Sequence, residues 1–153
     1  VTEGAEVLDL YCGSGAVGIE AFSRGAKKVT FVDNNLQCIK TVKKNVAGLG
    51  ISDISSIEIY KRDALRAIED FCSNHQRFDI VFLDPPYYKE IAKNTLIALS
   101  EYDILVRNAL IVAEVFKKDE LPERSAGFKK ARSYRYGDTI LVFFTPYLTR
   151  PVQ

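Results

Sequence analysis

Short apolar runs alternate along the chain with longer segments in which apolar residues recur at helical spacing. Runs at residues 6–11, 28–33, 57–60, 78–83 and 109–116 predict strands. The segments between them, 14–23, 35–48, 64–72 and 89–100, predict helices. Strands that alternate with helices are typical of a parallel sheet covered by helices on both faces.

The end of the chain has a different pattern. Residues 128–136 and 139–145 form two β-like runs with no helical segment between them. Gly137 and Asp138 join these runs, and a tight Gly-Asp link favours an antiparallel hairpin. The whole pattern predicts an α/β fold with a seven-stranded, mostly parallel sheet, a C-terminal antiparallel hairpin and helices on both faces.

Composition narrows the picture only slightly. A length of 153 residues fits a single domain over 1–153. The 21 basic and 20 acidic residues give a net charge of +1, so any basic surface for nucleic acid has to be local. No apolar run is long enough to span a membrane, so we expect no membrane partner.

The cysteines indicate the compartment. Cys12, Cys38 and Cys72 are odd in number and have no CxxC spacing, and His75 is the only histidine. These residues provide no zinc-ligand pattern, so we expect no metal. Free thiols are typical of a reducing environment, and the sequence therefore predicts a cytoplasmic protein, taken as a monomer.

A glycine-rich segment follows the first predicted strand and opens the first predicted helix. Gly13, Gly15 and Gly18 match G-x-G-x-x-G, a pattern typical of nucleotide-like cofactor sites at the carboxyl edge of α/β sheets. Asp9 distinguishes the two classes of cofactor. Its carboxylate would repel a pyrophosphate but would suit a protonated amine, which favours S-adenosylmethionine over NAD.

Two further acids follow predicted strands. Asp33 ends the second strand, where it is placed to accept hydrogen bonds from ribose hydroxyls. Asp63 follows the third strand and can reach an adenine amino group, while the backbone amide of Ala64 serves a ring nitrogen. The alternative for Asp63 is a purely structural N-cap of the next helix.

The segment Asp84-Pro85-Pro86-Tyr87 ends the fourth predicted strand. An exocyclic amino group on a nucleic-acid base is a poor nucleophile that carries two protons. The Asp84 carboxylate and the Pro85 carbonyl can accept one hydrogen bond each and direct the nitrogen lone pair to a methyl donor. Tyr87 offers an aromatic face for stacking a flipped base. A proline-rich turn with an aspartate cap is the structural alternative, which the glycine segment at the same edge disfavours.

These motifs resemble the bacterial 16S ribosomal RNA guanine-N2 methyltransferases. The similarity rests on residues 9–26, including the run G-I-E-A-F-S-R-G-A, and on 31–33, 78–87 and 136–139. It implies a class I (Rossmann-like) methyltransferase fold, S-adenosylmethionine as cofactor, and ribosomal RNA or the small ribosomal subunit as partner. It also implies that Asp84 and Pro85 contact the target amine. The family's basic N-terminal arm precedes the first strand, and we expect that arm to be missing from this chain.

Three other functions remain open at the level of sequence. An adenine-N6 methyltransferase acting on DNA or RNA would carry the same D-P-P-Y segment. An NAD(P)-dependent dehydrogenase would share the glycine pattern, although Asp9 and Asp84 argue against it. A non-catalytic RNA-binding assembly factor would keep the pocket without the reaction. A basic cluster at Lys129, Lys130, Arg132 and Arg135 is a candidate for phosphate contacts.

Overall fold

A computed structural model describes residues 2–86 and 89–146 of the chain. Five parallel-type strands and four helices alternate first, and three further strands follow. The strands are β1 (Glu6–Leu10), β2 (Lys28–Asp33), β3 (Ile57–Lys61), β4 (Phe78–Leu83), β5 (Leu105–Phe116), β6 (Arg124–Ser125), β7 (Phe128–Tyr136) and β8 (Thr139–Pro146). The helices are α1 (Ala16–Ser23), α2 (Leu36–Ala47), α3 (Ala64–Ser73) and α4 (Lys89–Glu101), with 3₁₀ turns at Ile54–Ser56 and Lys117–Asp119.

All eight strands form one sheet in the order β3-β2-β1-β4-β5-β8-β7-β6. Strands β1 to β5 pair in parallel, whereas β8 pairs antiparallel with both β5 and β7. The strand order reverses beside β1, where β2 lies on one side and β4 on the other. In open α/β sheets such a switch point opens a crevice at the carboxyl ends of the strands, and ligands bind there.

The predicted α/β architecture is confirmed, but the strand count of seven was one too low. The additional strand, β6, has two residues and pairs with the start of β7. A two-residue strand has no apolar periodicity that a sequence pattern could reveal. Strand β5 also begins at Leu105, earlier than its apolar run at 109–116 indicated, because Arg107 and Asn108 continue the extended chain while exposed to solvent.

Helices cover the two faces of the sheet unequally. On one face α3 and α4 bury a large cluster that includes Phe71, Phe78 and Leu96, with the Phe71 and Phe78 rings edge to face at 5.2 Å between centroids. On the other face α1 and α2 cover β1 and β2 around the fully buried Phe31. Apolar side chains on β4, β5 and β8 remain only partly buried there, and they line a groove of about 390 Å³.

Local signals explain where the helices begin. Asn35 caps α2, since its side-chain oxygen accepts hydrogen bonds from the amides of Gln37 and Cys38. Asp63 caps α3 in the same way through the amide of Arg66. Within the described ranges, no helix combines the length and apolar character that a membrane span requires. All three cysteines are free.

Candidate active site

A cavity of about 670 Å³ lies at the carboxyl edge of the sheet, beside the switch point. It is bounded by the loops that follow β1, β2 and β4 and by the end of β5. Four of the sequence-predicted site residues line it, namely Gly13, Asp33, Asp84 and Pro85. The fold therefore brings the predicted cofactor segment and the predicted amine-binding segment to the walls of one cavity.

The glycine loop, residues 11–18, is fixed to the neighbouring strand by Asp33. The Gly13 amide donates a hydrogen bond of 3.0 Å to Asp33 Oδ2, and the Asn35 amide donates one of 2.9 Å to Asp33 Oδ1. Gly13 has a φ of +56° and open space where a Cβ would stand. The Gly13 backbone and the half-buried Asp33 carboxylate therefore face the cavity together. This arrangement suits a ligand with several hydroxyl groups, such as a ribose.

Gly15 and Gly18 serve packing in the glycine loop and do not line the cavity. A Cβ at Gly15 would lie 3.2 Å from Val42 and 3.3 Å from the ring of Phe31. A Cβ at Gly18 would collide with the Phe31 ring and approach Asp9 Oδ2 to 3.0 Å. These glycines let α1 and α2 close over β2, and the cofactor contact expected of Gly15 stays a prediction.

Asp9 is almost fully buried, with 3% of its surface exposed. Its Oδ2 accepts a hydrogen bond of 3.1 Å from the Gly18 amide. Burial raises the pKa of Asp9 to about 7, the Gly18 hydrogen bond opposes that shift, and the nearby carboxylates of Asp84 and Asp33 add to it. Asp9 is therefore an acid poised near neutrality behind the glycine loop, and its contact with a cofactor amine stays a prediction.

Asp63 and Ala64 stand at the start of α3. The Asp63 carboxylate accepts the Arg66 amide at 3.2 Å, which is the N-cap role that the sequence left open. The Ala64 side chain is buried against the α3 and α4 core. The cap orients Asp63 at the same sheet edge as Asp33, but the adenine contacts expected of Asp63 and Ala64 stay predictions.

Asp84 follows β4 directly, and its solvent-accessible carboxyl group lies between the cavity and the groove on the sheet face. Burial of part of this group and a hydrogen-bonded neighbour, Glu114, raise the pKa of Asp84 to about 6. Pro85 is half-buried on the cavity wall. Tyr87, the predicted stacking residue, lies outside the described residues.

Glu114 stands beside Asp84 because of the register between β4 and β5. Leu83 pairs with Ala113, so the next residue of each strand lies at the same level. Both carboxyl groups line the cavity as well as the groove. We refer to Asp84 and Glu114 as the acid pair.

Comparison with known proteins identifies the chain. The family model described as "Conserved hypothetical protein 95" matches residues 1–145. The chain belongs to this family. It is 38% identical over 137 residues to the "Putative rRNA methyltransferase YlbH" of Bacillus subtilis, a match that covers 90% of the chain and 73% of that relative.

Two further matches relate the family to methyltransferases. Identity is 35% over 141 residues with the "Ribosomal RNA small subunit methyltransferase D" of Haemophilus influenzae, covering 86% of the chain and 72% of that protein. The solved structure titled "Putative methyltransferase yhhF from Escherichia coli" has a TM-score of 0.83 and 26% identity, covering 97% of the chain and 81% of that structure. The family resemblance and the class I methyltransferase fold, both inferred from sequence motifs, are thereby confirmed.

In this family member the structure adds two cavity residues that the sequence motifs did not predict, Glu114 and Tyr11. The sequence predicts a strand over 109–116 without a site role for Glu114, although an acid within a central apolar strand is unusual enough to be a signal. Tyr11 was likewise treated as the end of a strand. It has a left-handed backbone (φ 58°), lines the cavity, and its hydroxyl lies 2.9 Å from Thr95 Oγ1 on α4. This contact ties the glycine loop to the helix that follows the Asp84 segment.

The basic cluster is on β7, whose residues are exposed along most of the strand. Lys130 is partly engaged, since its ammonium lies 3.4 Å from Glu120 Oε1. Lys129, Arg132 and Arg135 extend along the exposed strand. The hairpin partner β8 begins at Thr139, which lines the cavity, and Arg135 pairs with the next residue, Ile140, whereas Lys129 pairs with Thr145 at the far end of β8.

Proposed function

We propose that this protein is an S-adenosylmethionine-dependent methyltransferase that transfers a methyl group to the exocyclic N2 amine of a guanine in 16S ribosomal RNA. One observation carries the proposal: Asp84 and Pro85 face the same cavity as Gly13 and Asp33. An amine acceptor pair and a nucleoside-binding edge within one cavity suit group transfer between a nucleoside cofactor and a base. The names of the relatives support methylation of ribosomal RNA.

The described residues fit S-adenosylmethionine. Asp33 supplies a carboxylate edge for the ribose, and Gly13 leaves backbone open to the cavity. Asp9 supplies a buried acid. Its burial, together with the nearby carboxylates of Asp84 and Asp33, raises its pKa to about 7. A protonated amine within reach of Asp9 would offset that cost by favouring the ionised carboxylate.

The cofactor supplies a methyl group on a positively charged sulfur, and the amine lone pair forms the new N–C bond while the electron pair of the broken S–C bond stays on sulfur. The chain's own residues position the amine for this transfer. Asp84 and the Pro85 carbonyl each accept one of its protons, which aims the lone pair at the methyl group. The amine becomes acidic once it is alkylated, and Asp84, with a pKa of about 6, is able to receive the released proton and pass it to water.

Electrostatics support RNA as the larger substrate. The net charge of +1 gives no overall attraction to nucleic acid, so docking needs a local basic surface. Strand β7 provides the exposed residues Lys129, Arg132 and Arg135, of which Arg135 lies nearest to the cavity rim at Thr139. Phosphate contacts there would hold the RNA while one base enters the site.

The test is product analysis. The protein is incubated with methyl-labelled S-adenosylmethionine and unmodified small-subunit ribosomal RNA, both as free RNA and assembled into subunits, and the nucleosides are separated by mass spectrometry. The expected product is labelled N2-methylguanosine. Labelled N6-methyladenosine would keep the amine chemistry but replace the base. Binding of S-adenosylhomocysteine and RNA without any labelled product would favour the non-catalytic assembly factor instead.

A further inference from the structure

Glu114 is the one acid in the described part of β5, a strand whose other positions near the cavity are apolar. The sheet register explains its orientation. Asp9 pairs with Phe82, and Phe82 pairs with Val112. Asp84 and Glu114 each lie two residues further along their chain segments, so their side chains and that of Asp9 point to the same face of the sheet. All three line the groove on that face, and the acid pair also lines the cavity.

The acid pair presents two hydrogen-bond acceptors side by side. A carboxylate carries no proton to donate, so two neighbouring carboxylates repel each other unless a donor lies between them. A hydrogen bond between the two side chains contributes, after burial and charge repulsion, to the raised pKa of Asp84. Asp9 from β1 interacts electrostatically with Asp84, and Asp33 and Asp119 are further acids that line the cavity, beside Tyr11 and Cys38. When both members are ionised, the pair therefore suits a ligand with adjacent donors.

Among the four RNA bases, guanine has that edge. Its ring N1–H and its exocyclic N2 amine are neighbouring donors. Adenine and cytosine present an amine beside a ring nitrogen that bears a lone pair, and uracil has no exocyclic amine. A carboxylate next to that lone pair would face another acceptor and lose its hydrogen bond.

Resting on the proposed function, we propose that Glu114 determines the choice of base: its carboxylate accepts the N1–H of the guanine whose N2 amine is held by Asp84 and Pro85. Glu114 then separates guanine from adenine, a distinction that the D-P-P-Y segment itself does not make. A site built to hydrogen-bond an N–H group rejects analogues that lack it far more strongly than a shape-selective pocket does.

The test exchanges one base at the target. The nucleotide that the wild-type protein methylates is first mapped, and RNAs are then ligated with guanosine or 2-aminopurine riboside at that position. 2-Aminopurine keeps the 2-amino group but has a lone pair at N1. The wild type should methylate the guanosine RNA about 100-fold faster or more at limiting RNA. Glu114→Gln should lower this ratio by about tenfold or more, since a Gln side chain can donate to the N1 lone pair.

A binding measurement makes the result independent of turnover. The fluorescence of 2-aminopurine reports its capture, and Glu114→Gln should bind the 2-aminopurine RNA more tightly than the wild type does, with S-adenosylhomocysteine present. Glu123→Gln is the matched control. Glu123 is exposed outside the cavity, so its replacement should leave both the ratio and the affinity unchanged. Thermal unfolding checks that both variants are folded.

The outcomes separate this inference from the proposed function. If the wild type forms N2-methylguanosine and Glu114→Gln keeps the full preference for guanosine, the role of Glu114 is overturned while the proposed function stands. If the wild type methylates adenine, both are overturned. The assignment of Glu114 is supported if the ratio of the guanosine rate to the 2-aminopurine rate falls in Glu114→Gln and stays unchanged in Glu123→Gln.

Discussion

The glycine loop and the acid pair stand at the same edge of the sheet, but they are built in opposite ways. The glycine loop is held by its own surroundings: Gly18 donates to buried Asp9, and Gly15 and Gly18 pack directly on Phe31. The acid pair consists of two solvent-accessible carboxyl groups that two adjacent strands bring together at their ends.

This difference separates stability from chemistry. Substitutions in the glycine loop disturb buried contacts, so they should cost folding free energy together with cofactor affinity. Substitutions in the acid pair remove groups that the core does not need, so they should cost catalysis while leaving the fold intact. Two acids held side by side at a cavity are typical of sites where stability is given up for function.

The largest effect is expected from Asp84→Ala. Without the carboxylate the amine loses one of its two acceptors, and methyl transfer should fall by about 1000-fold, in line with the loss of a preorganised hydrogen-bonding group. The affinity for S-adenosylhomocysteine should stay within about twofold, a difference of less than 0.5 kcal/mol. Single-turnover rates and calorimetric titration measure the two quantities.

The control for this variant is Asp138→Ala, in the exposed hairpin turn between β7 and β8. It should retain the wild-type rate. An equal loss of rate and cofactor affinity in Asp84→Ala would contradict the assignment of Asp84 to the amine. It would also remove the contrast between the acid pair and the glycine loop.

Gly18→Ala tests the other side of the comparison. The added methyl group would collide with the ring of Phe31, which is fully buried and cannot swing aside, so unfolding free energy should drop by about 1–3 kcal/mol. Gly48→Ala is the matched control, because a Cβ there would meet the Asn45 and Lys44 carbonyl oxygens at 3.5 and 3.7 Å, both ordinary contacts. Urea unfolding measures the unfolding free energy of both variants. Equal values would show that the glycine loop can accommodate a methyl group at Gly18 without strain.

Sequence patterns predicted most of the fold and four of the residues that line the cavity, Gly13, Asp33, Asp84 and Pro85. Strands β4 and β7 begin and end at the residues predicted for them, because local sequence patterns specify such elements. The sequence placed Asp33, Asp84 and Pro85 at one edge because Asp33 ends a predicted strand, Asp84 and Pro85 follow another, and the carboxyl ends of parallel strands meet there; all three line the cavity.

The remaining features depend on contacts between distant parts of the chain. Gly15 fits a cofactor motif by spacing, yet its neighbours Val42 and Phe31 come from other elements, and only the folded chain shows that packing requires it. Glu114 needed the β4–β5 register to become a neighbour of Asp84. Tyr11 needed the position of α4 to become a partner of Thr95.

Asp9→Asn should cost less function than Asp84→Ala, and it links the two halves of the comparison because it changes both stability and ligand binding. The pKa of Asp9 is raised from 3.8 to about 7, so the folded protein binds this proton more tightly than the unfolded chain does. The wild type is therefore favoured at low pH and loses stability as pH rises from about 4 to 7. Asparagine cannot ionise and should abolish this loss, while its oxygen still accepts the Gly18 amide. Relative to the wild type, Asp9→Asn should gain on the order of 3 kcal/mol between pH 4 and pH 8.

The same variant should bind S-adenosylmethionine about tenfold more weakly, since a protonated amine would lose its charged partner. Urea unfolding across pH and a cofactor titration at pH 8 measure the two effects, with Asp138→Asn as the exposed control. A stability difference that is flat with pH would mean that Asp9 ionises without cost behind the glycine loop. A gain in stability together with weaker cofactor binding would show that Asp9, like the acid pair, serves ligand binding at a cost in folding stability.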